Sequence, residues 1–109
     1  IGDVGNVVLR DRKLLSEDGL IIVAATIDID KVALVAGPDI VSRGFVYVKE
    51  SEVLINETAK IAEKVLNECL NNDITDIYAI RSKLSGALSA SLYQKTKRRP
   101  MILPVIMKI

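Results

Sequence analysis

The run Leu20-Ile21-Ile22-Val23-Ala24-Ala25-Thr26-Ile27, closed by Asp28, constrains the fold more than any other feature of the chain. It is apolar without alternation, as expected of a strand at the centre of a sheet or buried on both faces. Half of the residues are apolar but only 4% are aromatic. The core must therefore be built from Ile, Val, Leu and Ala, the make-up of strands covered by helices. A length of 109 residues matches one domain, and this composition excludes intrinsic disorder.

Other elements follow from local signals. Asn6 can cap a short helix from Val7 to about Ser16, closed by Gly19. After the turn at Asp28-Ile29-Asp30-Lys31, a second strand from Val32 to Ala36 pairs most simply with the first as an antiparallel hairpin, and Gly37-Pro38-Asp39 is expected to stop it. A loop through Ser42, Arg43 and Gly44 follows, with a brief extended stretch from Phe45 to Val48.

Leu54, Thr58, Ile61, Ala62, Val65, Leu66 and Cys69 recur at helical spacing behind Ser51, which predicts a helix to about Leu70. A second helix is expected from Thr75 or Asp76 to about Thr96, with Ile77, Ile80, Leu84, Ala87, Leu88 and Leu92 on one face. Its small residues, Gly86 among them, would allow close approach to the first helix or the sheet. Pro100 ends this helix, and Met101 to Ile109 reads as a third strand in which Pro104 marks an edge position or a bulge. The order ββααβ predicts an α+β two-layer sandwich, a small three-stranded mixed sheet with two helices on one face.

Several chemistries are excluded. There is no histidine and one cysteine, so neither a His/Cys zinc site nor a Ser-His or Cys-His nucleophile pair can be built from this chain alone. Cys69 falls on an apolar helix face, which favours a buried, inert thiol, and the lack of a disulfide fits a reducing, cytoplasmic setting. Asp28 and Asp30 are i and i+2 and could share a magnesium ion, although hairpin-turn residues are the simpler reading. Gly37 to Gly44 lacks the glycine spacing of a dinucleotide fingerprint and the Gly-Lys-Ser/Thr end of a phosphate loop. Its glycines read as turn geometry; the functional alternative is that it presents Arg43. No catalytic, cofactor-binding or metal-ligating residue is assigned.

Fifteen basic residues against fourteen acidic ones leave a net charge of +1 and no overall field to attract a polyanion or a membrane. Local clustering is another matter. Lys95, Lys97, Arg98 and Arg99 place four cations in five residues at a helix end, where they complement the helix dipole or contact RNA phosphates. With Arg43 they are the candidates for RNA or partner contact. Tyr93 lies close enough to add a stacking surface, although a partly buried core tyrosine is the simpler assignment. The N-terminus has no signal-peptide layout, no run is long enough to span a bilayer, and a first residue of Ile rather than Met reads as a fragment of a longer polypeptide.

Four ordered segments resemble the C-terminal portion of ribonuclease J, of the metallo-β-lactamase/β-CASP ribonucleases. They are Gly2-Asp3-Val4-Gly5-Asn6-Val7-Val8-Leu9-Arg10-Asp11-Arg12, Leu15-Ser16-Glu17-Asp18-Gly19, Gly37-Pro38-Asp39-Ile40-Val41-Ser42-Arg43-Gly44-Phe45-Val46-Tyr47-Val48, and Thr96-Lys97-Arg98-Arg99-Pro100-Met101-Ile102-Leu103-Pro104-Val105. The resemblance implies a connector over residues 1–19 and an accessory domain over 20–109. It also implies a parent enzyme whose upstream core binds zinc and cleaves RNA, as a 5′-to-3′ exonuclease and an endonuclease, in rRNA processing and mRNA decay. The implied partners are that core, RNA through the parent, and further copies in a homo-oligomer.

On this reading the domain is non-catalytic and supports assembly, core positioning and RNA contact. The competing readings are a stand-alone RNA-binding module, and a regulatory small-ligand domain or plain oligomerisation module. Against the former, the chain has no Gly-x-x-Gly clamp and no aromatic pair on a strand. The latter is permitted by the apolar strand ending at Ile109 and the small-residue face of the second helix.

Overall fold

A computed structural model describes residues 18–44 and 51–109. The helix expected from Val7 to Ser16 and the extended stretch expected from Phe45 to Val48 lie outside these residues. The elements run β1 (Leu20–Asp28), β2 (Ala33–Arg43), α1 (Ser51–Asn71), α2 (Ile77–Thr96) and β3 (Met101–Lys108). The strands form one mixed sheet of order β2-β1-β3, with β1 antiparallel to β2 and parallel to β3. This is the expected ββααβ two-layer α+β sandwich.

The core lies between the sheet and the helices. Ile21, Val23 and Ile27 of β1 are fully buried and Ala25 nearly so, against Ala62, Leu66, Cys69 and Leu70 of α1 and Ile80, Leu84, Leu88 and Leu92 of α2. Each fully buried Ile or Leu contributes about 1.5–3 kcal/mol relative to an exposed one. The four buried residues of α2 follow one another at intervals of four, which keeps them on one side of the helix. Helix α1 lies over the β2 side of the sheet and α2 over the β3 side. Thr58 is the buried polar residue among those described, and its hydroxyl donates to the Leu54 carbonyl at 2.8 Å.

The helix boundaries follow the capping chemistry. Asp76 is the N-cap of α2, its carboxylate accepting from the Tyr78 amide at 3.2 Å. At the other end Lys97 adopts a left-handed conformation, φ 60°, and its amide donates to the Tyr93 carbonyl at 2.8 Å. In the hairpin turn, Asp28 accepts from the Lys31 amide at 3.0 Å, the local bond expected of a turn aspartate. Pro104 sits on β3, an edge strand.

Three expectations need correction. Strand β2 does not stop at Ala36 but continues to Arg43, through Gly37 and Pro38. Its register against β1 shifts between Ala24 and Ile27, so the extra residues are taken up as bulges on an edge strand, where a missing proline N–H costs no internal ladder bond. The second correction concerns β1, which is central but covered on one face only: burial alternates strictly, and Leu20, Ile22, Ala24 and Thr26 are partly exposed. Two helices on the same side cannot shield the other face. Third, Gly86 makes no close approach, since a Cβ built there meets nothing within 4 Å.

The two glycines predict opposite outcomes. Gly37 has φ +85°, and a Cβ there would stand 2.5 Å from the Ala24 carbonyl oxygen. Gly37→Ala should therefore lower unfolding free energy by more than about 1 kcal/mol. Gly86→Ala, at an open helical position, should raise it by about 0.4–1 kcal/mol. Denaturant titration of both variants checks the pair.

Candidate functional site

Two surfaces and one groove carry the chemistry of the described residues. The first surface is the sheet face turned away from the helices. Paired residues of neighbouring strands project to the same side of a sheet. Ile22 pairs with Val41 of β2 and Leu103 of β3, and Ala24 pairs with Asp39 and Val105. Leu20 pairs with Arg43 and Met101 at one end of the sheet, and Thr26 with Met107 toward the other. The centre of this face is thus aliphatic on all three strands, and Val41, Val105 and Met107 are 38%, 40% and 59% exposed. The charged side chains on it are Asp39 and Arg43, at either side of Val41 on the edge strand β2 and opposite in sign.

Reading the sequence for charged clusters misses this face. Its signal was the lack of alternation in β1, which marks a strand with two apolar faces, and among the described residues the helices α1 and α2 cover one of them.

The second surface is the basic turn between α2 and β3. The structure separates the five cations singled out in the sequence. Lys95 gives its ammonium to Glu57 of α1 at 2.7 Å. Arg43 stands on β2, hydrogen-bonded to the Ser42 carbonyl at 3.0 Å, on the open sheet face. The amide of Arg98 donates to Thr96 Oγ1 at 3.1 Å.

Lys97 and Arg99 converge on Tyr93, with Lys97 Nζ 5.4 Å and Arg99 Cζ 4.7 Å from the ring centroid. Among the described residues, neither is within ion-pair distance of a carboxylate. The backbone beneath them is held: the Lys97 amide closes α2, and the Arg99 amide donates to Asp18 Oδ2 at 2.9 Å. Tyr93 is 41% exposed and lies outside the buried cluster, so it is a surface platform for cations rather than a core residue.

The groove, about 280 Å³, lies between the helices and is lined by Val65, Glu68, Cys69, Asn72, Ile74, Lys83 and Ala87. Burial pushes the Cys69 thiol above the ordinary cysteine range; Lys83 opposes the shift and Glu68 adds to it. The thiol is thus held protonated and is a poor nucleophile at neutral pH. Among the described residues no group of three or more His, Cys, Asp or Glu could hold a metal ion. No helix among them is long and apolar enough to cross a membrane.

A direct test of the groove is alkylation of Cys69. Iodoacetamide at neutral pH should label the native protein far more slowly than the unfolded one. Because the folded value is raised, this group's contribution to stability is complete below the ordinary thiol range and is lost as pH rises through the folded value. Unfolding free energy should accordingly fall at alkaline pH, and less steeply in Cys69→Ala.

Comparison with known proteins places this arrangement in context. The family model described as the ribonuclease J C-terminal domain matches residues 7–109. The chain is 46% identical over all 109 residues to ribonuclease J2 of Bacillus subtilis, covering 20% of that protein. It is 47% identical to a ribonuclease J 2 of Staphylococcus epidermidis and 46% to that of Staphylococcus aureus, again over the whole chain and 20% of the relative. The chain thus spans about a fifth of the length of the curated relatives it matches.

Proposed function

Since the chain belongs to the ribonuclease J C-terminal domain family, we propose that it is the non-catalytic C-terminal domain of a ribonuclease J-like enzyme, and that it supports the assembly of that enzyme through its open sheet face. Residues 1–19 are the connector and 20–109 the domain. The parent is a cytoplasmic 5′-to-3′ exo- and endoribonuclease that processes rRNA and degrades mRNA. Its zinc belongs to an upstream metallo-β-lactamase/β-CASP core. The residues of this chain do not fit a zinc site: there is no imidazole, and the one thiol is buried and held protonated. No step of RNA cleavage is assigned to them.

The observation that carries this reading is the aliphatic face made by Ile22, Val41, Leu103 and Val105 on the uncovered side of the sheet. Apolar surface left in contact with water is unfavourable, and a contiguous patch rimmed by polar groups marks an interaction surface. We commit to a second copy of the chain as its occupant, because the charge pattern is self-complementary. A two-fold axis along the Val41–Ile22–Leu103 row would set Arg43 of each copy opposite Asp39 of the other. Packed sheets at their usual spacing of about 10 Å would then interdigitate the aliphatic side chains between them.

The test is made in the full-length protein. Val105→Glu with Val41→Glu should lower subunit mass in sedimentation and reduce nuclease rate together, without unfolding the domain. Arg43→Glu alone should weaken self-association, and adding Asp39→Arg should restore it. A parent of unchanged mass in the double glutamate variant would refute the assembly role.

A further inference from the structure

The sheet face leaves the second surface unexplained, because Lys97 and Arg99 do not lie on it. We propose that Lys97 and Arg99, held against Tyr93, form a sequence-independent contact for the phosphate backbone of single-stranded RNA. The proposal rests on the reading of the chain as a domain of a ribonuclease, which supplies the RNA, but not on how that enzyme assembles.

Three observations point the same way. The two cationic centres lie within 5.4 Å of one ring centroid and so within about 10 Å of each other, comparable to the screening length at physiological salt. Like charges gathered that closely repel, and an anion placed between them relieves the repulsion. No carboxylate of the described residues is within ion-pair distance of either cation, that of Asp18 being engaged by the Arg99 amide, whereas Lys95, in the last turn of α2, is satisfied by Glu57.

The geometry is also prepared in advance. The left-handed cap at Lys97 and the bond from the Arg99 amide to Asp18 fix the backbone at both residues, so ordering this turn adds little to the cost of binding. Finally, the ring works as a positioning element. Tyr93 keeps a long Lys and a long Arg from dispersing into solvent, an attraction of about 0.5–1 kcal/mol each at an exposed site. Phosphate diesters are the anions such a site takes, because an ammonium and a guanidinium neutralise the backbone charge whatever the base sequence.

The experiment uses the full-length protein with its catalytic metal chelated, so that the probe is not consumed, and a single-stranded oligouridylate as the probe. Affinity is measured across a salt series. Lys97→Gln with Arg99→Gln should lower the log–log salt slope by roughly 1.4, about 0.7 for each phosphate no longer neutralised, and weaken binding at low salt several-fold. Tyr93→Leu, which changes no charge, should give a smaller loss, and Tyr93→Phe should restore affinity. Lys60→Gln with Lys64→Gln, equal in charge but on the wet side of α1, should leave the slope unchanged.

A slope unaltered by the Lys97/Arg99 pair overturns the proposal, as does an equal fall in the Lys60/Lys64 control. Subunit mass is recorded alongside. A changed mass with an intact slope would assign these cations to an acidic protein surface and also overturn the RNA contact. Loss of assembly in the sheet-face variants, or its persistence, bears on the previous reading alone.

Discussion

The packing of one face of β1 against both helices organises everything else. Ile21, Val23, Ala25 and Ile27 form a spine that α1 and α2 share, and the same strand carries hydrogen bonds to β2 on one side and β3 on the other. In the chain β1 precedes both helices and β3 follows them. The parallel pairing of β1 with β3 is thus a long-range pairing whose entropic cost the helices reduce. Removing that spine would take away the strand face on which the buried cluster of the described residues is built.

A two-layer sandwich with both helices on one side has an unavoidable asymmetry. Its inner face is sealed by α1 and α2, and its outer face carries whatever the alternate residues of the strands supply. Here those residues are Leu20, Ile22, Leu103 and Val105, where a free-standing antiparallel sheet would carry polar side chains. The charged groups that are present, Asp39 and Arg43, sit on the edge strand β2. The bulges around Gly37 let β2 run past Ala36 and carry Asp39, Val41 and Arg43 alongside β1. Local backbone chemistry and the composition of the outer face therefore belong to one arrangement.

The basic turn is the counterpart at the end of the helical layer. A helix C-terminus ordinarily accepts a cation or two as partners of its dipole. At this one, Lys95 is drawn to Glu57 across the helix pair, while Lys97 and Arg99 are gathered on Tyr93. The balanced net charge of the chain hides this, because all fourteen acidic residues lie at or before Asp76 and residues 77–109 carry seven basic residues and no acidic one.

Much of this architecture was written in the sequence. The spacing of Thr58, Ala62, Leu66 and Cys69, and of Ile80, Leu84, Leu88 and Leu92, prescribes two amphipathic helices, because a period near 3.6 residues can bury one face in only one way. The lack of histidine ruled out imidazole chemistry before any fold was known. What the tertiary structure alone decided is which apolar residues find cover and which cations find partners. Ile21 and Ile22 are alike in composition, yet the first is sealed and the second is not, because the strand sends them to opposite faces and helices lie on one. Lys95 and Lys97 are likewise alike in composition, yet packing sets Glu57, 38 residues away in the chain, beside the first, while the second keeps its local neighbour Tyr93, since partners distant in the chain are chosen by packing and not by local propensity.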